Sequence, residues 1–413
     1  MTHLAADASP FAISGAIPRK AEAAREALLA PGQRLGLVGS LAGLKHLEAG
    51  WRALEADAAT LPTVFQSYDW ISTWCDTYCQ GDEGVDLHIL TGYAGSRLVF
   101  AMPLQLQARA GVRVLSWLTE PFGQYGDVLC ARGEDLARWL NASFTYLGKL
   151  GSADLLRLRH VRADSAIAQV AGGKLFDAQL RERAPFLDLT AFANEEAYEA
   201  RYTGNQRKRR KKIRKALEDM GPVQFSALSN GAGREAAIAE ALAEKNKWLA
   251  GRGRINVAVG CPKHREFLTL LSRRSHGGDG MVLTELKAGE RAVSWEISFR
   301  YRSKHFAYIT SHVDALTDLS PGRLHFDLSQ RACLADGVKT YDLMVPYDAH
   351  KESWSSGMVG VEDYYLPLTW RGRLAGHGYL RQLRPAVRRL YYRMPRSILR
   401  LLNPGKPPAP TGE

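Results

Sequence analysis

The chain has 413 residues, more than one ordinary hydrophobic core needs, so its length predicts two domains. Hydrophobic residues make up 46% of it and charged residues 24%, which is typical of globular proteins and excludes an intrinsically disordered chain. No apolar run approaches the roughly 20 residues that span a bilayer, and the N-terminus lacks the charged start and apolar core of a signal peptide. We therefore expect a cytoplasmic protein.

The net charge of +12 is unevenly distributed along the chain. From Arg371 onward, nine arginines and Lys406 stand against Glu413 alone. A second basic block covers residues 207–215. Concentrated positive charge predicts a negatively charged partner, which can be anionic lipid, nucleic acid or a phosphorylated ligand.

The five cysteines are scattered, which does not indicate a disulfide framework. Cys75 and Cys79 have the i, i+4 spacing of one helix face, but no Cys-x-x-Cys or histidine pair stands nearby to complete a metal site. We interpret them as small buried hydrophobic residues and expect no metal.

The first half of the chain has the pattern of an α/β domain over residues 34–185, preceded by a mobile lead-in, rich in Ala and Pro, over residues 1–33. Trp51 and Leu54 should point inward from the first helix, and Ser67 is a plausible N-cap of the next. Apolar periodicity and turn residues predict helices over 41–59, from Phe65 and over 133–150, and strands over 85–92, 97–106, 112–118 and 155–161.

The second half, residues 186–370, predicts a second α/β domain with the order β-α-α-β-β-β-α-β-α-β after a basic helix that ends at Gly221-Pro222. The predicted helices cover 195–220, 233–249, 262–274, 321–336 and 348–355, and the strands cover 223–228, 281–287, 291–301, 304–313, 339–345 and 359–366. Residues 371–413 mix cations with Leu, Ile and Tyr, as an interfacial amphipathic helix does, and are interrupted by Pro385 and Pro395.

The segment from Ser320 to Leu324 is the sharpest chemical feature. Ser320 can cap a helix whose first residue is Pro321, and Gly322 leaves the backbone open to close approach. The positive end of the helix dipole and the charge of Arg323 would together form an anion site that fits a pyrophosphate. The alternative is an ordinary capped helix.

Several short segments, in this order and spacing, resemble the CelD/BcsL-type GNAT acetyltransferases over roughly residues 34–370. The segments are Trp51, Leu54-Glu55, Phe65 to Trp70, Trp74, Pro103-Leu104, Arg209-Arg210, Ile213 to Glu218, Gly221, His312 to Asp314, Ser320 to Leu324, Asp336-Gly337, Tyr341 to Met344 and Lys351 to Trp354. Such proteins are often encoded with cellulose or other exopolysaccharide synthesis functions. They are similar to the FemABX peptidyltransferases, whose GNAT-like domains stand in tandem.

The resemblance implies an α/β fold of tandem GNAT-like domains, with mixed sheets flanked by helices and a degenerate first domain. It also implies an acyl-CoA, acetyl-CoA or another, bound by Ser320, Gly322, Arg323 and Leu324 where the fourth strand meets the third helix. The sequence departs from the usual GNAT loop, Arg/Gln-x-x-Gly-x-Gly/Ala, by having one glycine, and it has His350-Lys351 where Tyr-Lys is expected.

Five residues are candidates for the catalytic groups of a direct acyl transfer. Glu296 lies on the polar face of a predicted central strand and is a candidate base, or it pairs with Arg300 or another cation. His312 and Asp314 either orient a substrate hydroxyl or act as a base with its orienting carboxylate. The alternative is that Asp314 caps the loop and His312 is a half-exposed residue. The family places Tyr347 where a proton-donating tyrosine often stands, and Lys351 could bind a phosphate or a substrate carboxylate.

The leading hypothesis is an acyl-CoA-dependent N- or O-acyltransferase that acts on a sugar or lipid-linked saccharide precursor in exopolysaccharide or cellulose synthesis, as a peripheral protein at the inner membrane face. One alternative is Fem-like aminoacyl transfer from charged tRNA, which would use the basic helix. Another is a catalytically degenerate GNAT scaffold in a polysaccharide synthase complex. Nucleic acid is otherwise not expected, because no aromatic residues interleave with the basic block.

Overall fold

The computed structural model describes residues 27–58, 63–79, 85–171, 173–252, 257–276 and 278–387. Fifteen of its strands form one sheet. The strands are β1 (Ala27–Ala30), β2 (Gln33–Val38), β3 (Asp86–Ala94), β4 (Arg97–Arg109), β5 (Val112–Trp117), β6 (Leu129–Cys130), β7 (Leu155–Arg162), β8 (Phe176–Asp188), β9 (Val223–Ala227), β10 (Ser275–His276), β11 (Asp279–Ala288), β12 (Arg291–Tyr301), β13 (Lys304–His312), β14 (Thr340–Asp342) and β15 (Gly357–Pro367).

Helices cover the faces of this sheet. They are α1 (Leu41–His46), α2 (Glu48–Asp57), α3 (Tyr68–Tyr78), α4 (Leu136–Leu150), α5 (Ala168–Ala171), α6 (Glu195–Ala200), α7 (Gly204–Glu218), α8 (Ala232–Gly251), α9 (Val257–Gly260), α10 (Pro262–Ser272), α11 (Pro321–Ala335), α12 (Ala349–Glu352) and α13 (Trp370–Arg373), followed by a π-helix over Leu374–Leu383. Three short 3-10 helices cover Val64–Gln66, Leu189–Ala191 and Asp314–Leu319.

The two halves of the chain repeat one topology. In the first half β2, β3, β4 and β5 pair antiparallel in that order, then α4 leads to β7, which is parallel to β5. In the second half β9, β11, β12 and β13 do the same, and α11 leads to β14, which is parallel to β13. This tandem arrangement of mixed sheets flanked by helices confirms the predicted fold class.

The last strand of each half extends the sheet of the other half. Strand β15 lies between β7 and β8, and β8 pairs on its other side with β14. Strand β8 therefore runs through the boundary predicted at residues 185/186. A single sheet passes from one half to the other without an edge, which removes the unpaired strands that two separate domains would expose.

Aromatic and ionic contacts also join the halves. Trp70 on α3 packs edge-on against Phe267 and Phe299 of the second half, with ring centroids 5.0 and 5.2 Å apart. Buried Asp342 on β14 accepts hydrogen bonds from Arg162 at 2.5 Å and from the Tyr125 hydroxyl at 3.0 Å. Rings of this size contribute much of the apolar area buried between packed elements.

Several local predictions are confirmed and others are wrong. Ser67 caps α3, as expected, by accepting from the Trp70 N–H at 3.3 Å. The helix predicted over 195–220 is two helices, because α6 ends at Ala200 and Thr203 caps α7 in a capping box with Gln206. The lead-in predicted over 1–33 contains strand β1, and its residues 1–26 lie outside the described residues.

Candidate active site

Strand β13 pairs with the short strand β14 only over its first three residues, and the two chain segments then separate. Their parallel pairing runs from Lys304 opposite Thr340 to Phe306 opposite Asp342. Beyond it, a cleft of about 50 Å³ opens between Tyr308 and Ile309 on one side and Val345 and Pro346 on the other. Strand β13 continues from the cleft to His312, roughly 10 Å further at about 3.3 Å per residue. A Cβ at Gly322 would stand 3.6 Å from the His312 Nδ1, so the start of α11 lies beside this end of β13.

The start of α11 is built differently from the prediction. Ser320 occupies the N-cap position before Pro321, as expected, but its φ is 56° and its side chain makes no capping bond. The Ser320 N–H donates to Thr317 O at 3.0 Å and the Arg323 N–H to Ser320 O at 3.0 Å. Pro321 has no N–H. Within the described part of the chain, the Gly322 N–H is therefore the open backbone donor of this turn.

Basic side chains converge on the start of α11. Burial, and then the charge of Arg209 on α7, lower the pKa of Arg323. Burial also lowers the pKa of His350, and the Arg323 and Arg209 charges lower it further. These shifts mean that Arg323 and His350 feel the positive charge of their basic neighbours. An anion bound among them would relieve this repulsion.

The equivalent helix of the first half is closed to anions. Helix α4 also follows a strand that pairs parallel with a later one, but Asp135 caps it and its Oδ1 accepts from the Arg138 N–H at 3.0 Å. Glu134 adds a second carboxylate directly before it. Negative charge at this helix start repels another anion, so of the two related helix starts only that of α11 suits a phosphate.

Glu296 is fully buried and belongs to a polar network inside the second half. Its carboxylate accepts from His305 at 2.8 Å, Ser329 at 2.8 Å and Tyr341 at 2.5 Å. Burial alone would raise the pKa of Glu296, but the bond and charge of His305 outweigh it and lower the pKa. Arg300, the partner considered from the sequence, pairs instead with Asp336.

His312 and Asp314 lie close to the start of α11 without a hydrogen bond between them. The His312 Nε2 lies 3.2 Å from the Thr317 hydroxyl, and a side chain at Gly322 would place its Cβ 3.6 Å from the His312 Nδ1. Burial and the nearby Lys245 lower the pKa of His312. The Asp314 N–H donates to Glu244 at 3.1 Å.

The remaining candidates have structural partners. The Tyr347 hydroxyl donates to Glu352 at 2.5 Å, and a hydrogen bond from this hydroxyl raises the pKa of Tyr347. Lys351 donates to the carbonyls of Met344 and Pro346 at 2.9 and 3.0 Å. Burial lowers the pKa of Lys351 to about 8.

Other predicted residues fall within the core or outside any site. Leu324 is buried against the Leu286 and Val293 side chains, so only its backbone could meet a ligand. Cys75 is buried and Cys79 is half-buried. Among the described residues no group of three or more His, Cys, Asp or Glu side chains could hold a metal ion.

The cleft contains three residues that sequence reasoning missed, Glu120, His264 and Tyr308. They come from a loop of the first half, from α10 and from β13, and are brought together only by the packing of the two halves. The only signal was the polar character of a histidine and a tyrosine within apolar patterns, which is too common to single them out.

The chain has recognisable relatives in one family and in several solved structures. Residues 204–352 match the family described as an acetyltransferase (GNAT) domain. The crystal structure of FemX is 11% identical and covers 81% of this chain and 98% of its own, with a TM-score of 0.56. L-PGS from Bacillus licheniformis is 11% identical, covering 77% of this chain and 91% of its own, with a TM-score of 0.49. No curated protein matches the chain in sequence.

The matched residues run from the start of α7 to the end of α12 and include the separating strands and α11. At this low identity the likeness to FemX shows the fold alone, and it extends over both halves. The second half therefore contains a match to a GNAT acetyltransferase domain, and this match supports acyl transfer as the enzyme class of the protein.

Proposed function

We propose that this protein transfers an acyl group from acetyl-CoA or another acyl-CoA to a nitrogen or oxygen of a sugar or lipid-linked saccharide precursor of an exopolysaccharide. The observation that carries the proposal is the start of α11, where a cationic, open helix end stands beside two separating parallel strands inside the GNAT-matched residues. The choice of a saccharide rests on the resemblance to CelD/BcsL-type proteins.

The residues around α11 fit the phosphates of a CoA thioester. Arg323 and Arg209 supply positive charge, the neutral His350 ring supplies an N–H donor, and Gly322 supplies an open N–H that no side chain of its own blocks. The bound thioester would supply an activated acyl group. Ser320 shapes the turn by its left-handed backbone, and Leu324 anchors the helix in the core.

Of the predicted catalytic groups, His312 is the best placed for the proposed site. It stands beside Gly322 at the end of β13, and its low pKa keeps the imidazole neutral at pH 7. Glu296 has no exposed surface, and Tyr347 and Lys351 are engaged by Glu352 and by backbone carbonyls. We assign the last three to positioning the elements around the cleft.

The proposal predicts that the purified protein binds acetyl-CoA and releases thiol from it when a saccharide precursor is present. Isothermal titration calorimetry measures the binding, and mass spectrometry of the surface polysaccharide of cells with and without the protein identifies the acylated unit. An acetyl mass increment that requires the protein is the expected result. Identical polysaccharides, together with no acyl-CoA binding, would instead favour the scaffold alternative.

A second candidate is aminoacyl transfer from charged tRNA. It is favoured by the likeness of fold to FemX over 81% of the chain and by the exposed basic residues of α7, among them Lys208, Lys211 and Lys212. Transfer that requires charged tRNA and is indifferent to acyl-CoA would replace the first proposal with this one.

The C-terminal helix supports a location at a membrane surface. No helix of the described residues is long and apolar enough to cross a membrane. The helix from 370 to 387 nevertheless exposes a stripe of large apolar side chains, flanked by the exposed Arg371, Arg373 and Arg381. The stripe consists of Trp370, Leu374, Tyr379, Leu383 and Val387. An apolar stripe with arginines on its flanks suits an anionic lipid surface, where each cation contributes about 1 kcal/mol.

We expect the protein to sediment with vesicles that contain phosphatidylglycerol and to be released by salt. A truncation at Gly372 would be a poor test, because it removes the buried Leu380. Replacing Trp370, Leu374 and Leu383 with Ser should weaken binding without unfolding the protein. Leu28→Ser, at an even more exposed apolar residue of β1, should leave binding unchanged. Equal sedimentation of the two variants would contradict the membrane location.

A further inference from the structure

The cleft between the separated strands has walls from both halves of the chain. Strand β13, the loop after β14 and helices α9 and α10 meet the 120–124 loop and the end of β7 there. The polar residues of the lining are Glu120, Gln124, Arg159, His160, His264 and Tyr308. The α11 start lies outside this lining, so the cleft offers a place for a second reactant.

His264 carries an unprotonated nitrogen on the cleft side. Its Nδ1 lies 2.8 Å from the Ala258 carbonyl, which can only accept, so the proton of the neutral ring is on Nδ1. The Nε2 therefore has a lone pair, and it lies 3.2 Å from the Tyr308 hydroxyl. Burial lowers the pKa of His264 to about 4, and the bond to Ala258 only partly opposes it, so the ring is neutral at pH 7.

Tyr308 has one hydroxyl proton and two acceptors for it. Its oxygen lies 3.1 Å from the Phe122 carbonyl and 3.2 Å from the His264 Nε2. The proton can form a hydrogen bond to only one of these two acceptors at a time. The hydroxyl oxygen can still accept a hydrogen bond from a third group. A ligand that donates to Tyr308 would complete this chain of hydrogen bonds from the cleft to His264.

Glu120 provides a second hydrogen-bond acceptor in the wall of the cleft. Its Oε2 pairs with Arg157 at 2.7 Å, while its Oε1 is buried and has no hydrogen-bond partner among the described residues. A buried oxygen without a donor is unfavourable, so a donor from a ligand would be strongly preferred there. Because Arg157 already balances the carboxylate charge, a neutral hydroxyl fits this oxygen better than an ammonium group does.

We infer that this cleft binds the acceptor through hydroxyl groups, one donating to Glu120 and the reacting one to Tyr308, and that His264 receives the proton of the reacting hydroxyl through Tyr308. The inference rests on the proposed function and narrows it to O-acylation of a polyhydroxylated acceptor. The acceptor oxygen forms a bond to the thioester carbonyl carbon and the carbon–sulfur bond breaks. The acceptor proton moves to Tyr308 as the Tyr308 proton moves to His264. His264 then returns this proton through the Tyr308 hydroxyl to the departing thiolate.

The test uses the full chain with acetyl-CoA and two saccharide probes, cellobiose, which has only hydroxyls, and glucosamine, which adds an amine. Tyr308→Phe removes only the hydroxyl, and His264→Asn keeps a donor near Ala258 while removing the Nε2. The kcat of thiol release with cellobiose should fall by about 10²–10⁴-fold in both variants, with unchanged Kd for acetyl-CoA and no further loss in the double variant.

Glu120→Gln should raise the KM for cellobiose by roughly 10- to 100-fold. Tyr364→Phe on β15 is the matched control and should change nothing.

Each outcome decides one part of the inference. If the wild-type protein does not bind acetyl-CoA, the proposed function fails, and this inference fails with it. If it binds acetyl-CoA but Tyr308→Phe or His264→Asn keeps the wild-type kcat, the proton route is wrong while the proposed function stands. Acylation of the glucosamine nitrogen only, or no thiol release with either saccharide, overturns the hydroxyl acceptor. Thermal unfolding of each variant identifies a loss of rate that comes from loss of the fold.

Discussion

Acetyl-CoA binding should be abolished by Gly322→Val and weakened about 10- to 100-fold by Arg323→Ala. The Gly322 N–H is the open donor of the first α11 turn, and its missing side chain faces His312, where a Cβ would stand 3.6 Å from the Nδ1. The branched valine would fill the space that a phosphate needs. Arg323→Ala removes one charged hydrogen bond, worth roughly 1.5–3 kcal/mol, and 1.4 kcal/mol is tenfold in affinity.

Both variants should stay folded, because Gly322 and Arg323 are not part of the core and the Cβ contact at Gly322 is of ordinary length. Gly322→Ala is a graded control and should bind more weakly than wild type but more tightly than Gly322→Val. Lys149→Ala removes a cation from the last turn of α4 and should bind like wild type. Calorimetric titration with acetyl-CoA measures all four. Wild-type affinity in Gly322→Val and Arg323→Ala would mean that CoA does not use this helix start.

The elements that the sequence predicted well are those whose apolar pattern is local. Strand β12 has the predicted limits of Arg291 and Tyr301, and α11 begins at Pro321 as expected. Turn and breaker residues mark the ends of these elements, so no distant partner is needed to recognise them. The repeated order of such elements also made the tandem fold predictable.

Strand β8 was missed because its pattern depends on distant partners. Its sequence over Phe176–Asp188 contains five charged residues and Pro185, which is unusual for a strand in the middle of a sheet. It is paired by β15 and β14, each more than 150 residues later in the chain. The exchange of last strands between the halves creates that environment, and no local pattern encodes it.

Sequence reasoning could propose the residues of the candidate site that are recognisable by their charge or backbone chemistry. It missed the residues that only the packing of the two halves brings together. Gly322 and Arg323 were found from the residue types that suit an anion at a helix start. His264, Tyr308 and Glu120 meet only after two halves have packed together. Glu296 was correctly assigned to a polar strand face, but the sequence does not reveal that His305 and Tyr341 cover that face.

The Glu296 network leads to the largest expected effect on stability. The carboxylate and His305 form a buried pair, with the pKa of Glu296 lowered and the pKa of His305 raised. Glu296→Gln would leave the buried charge of His305 without its partner. Breaking a buried ion pair in this way costs about 3–5 kcal/mol, so we expect the free energy of unfolding to fall by that amount. Glu362→Gln removes a half-exposed carboxylate that pairs with Arg181 and should cost less than about 1 kcal/mol.

The pH dependence of unfolding separates this structural role from a catalytic one. Burial alone would lower the pKa of His305, but Cys333 and Glu296 raise it to about 10. A raised pKa contributes stability that is complete below the unfolded value of about 6.5 and is lost as the pH rises towards about 10. The lowered pKa of Glu296 contributes stability above its unfolded value of about 4.3 that is lost as the pH falls. In denaturant unfolding, the stability of the wild type should therefore fall from pH 6.5 to 10, and Glu296→Gln should reduce that slope. Unchanged stability and slope in Glu296→Gln, with a loss of acyl transfer only, would instead make Glu296 the catalytic base.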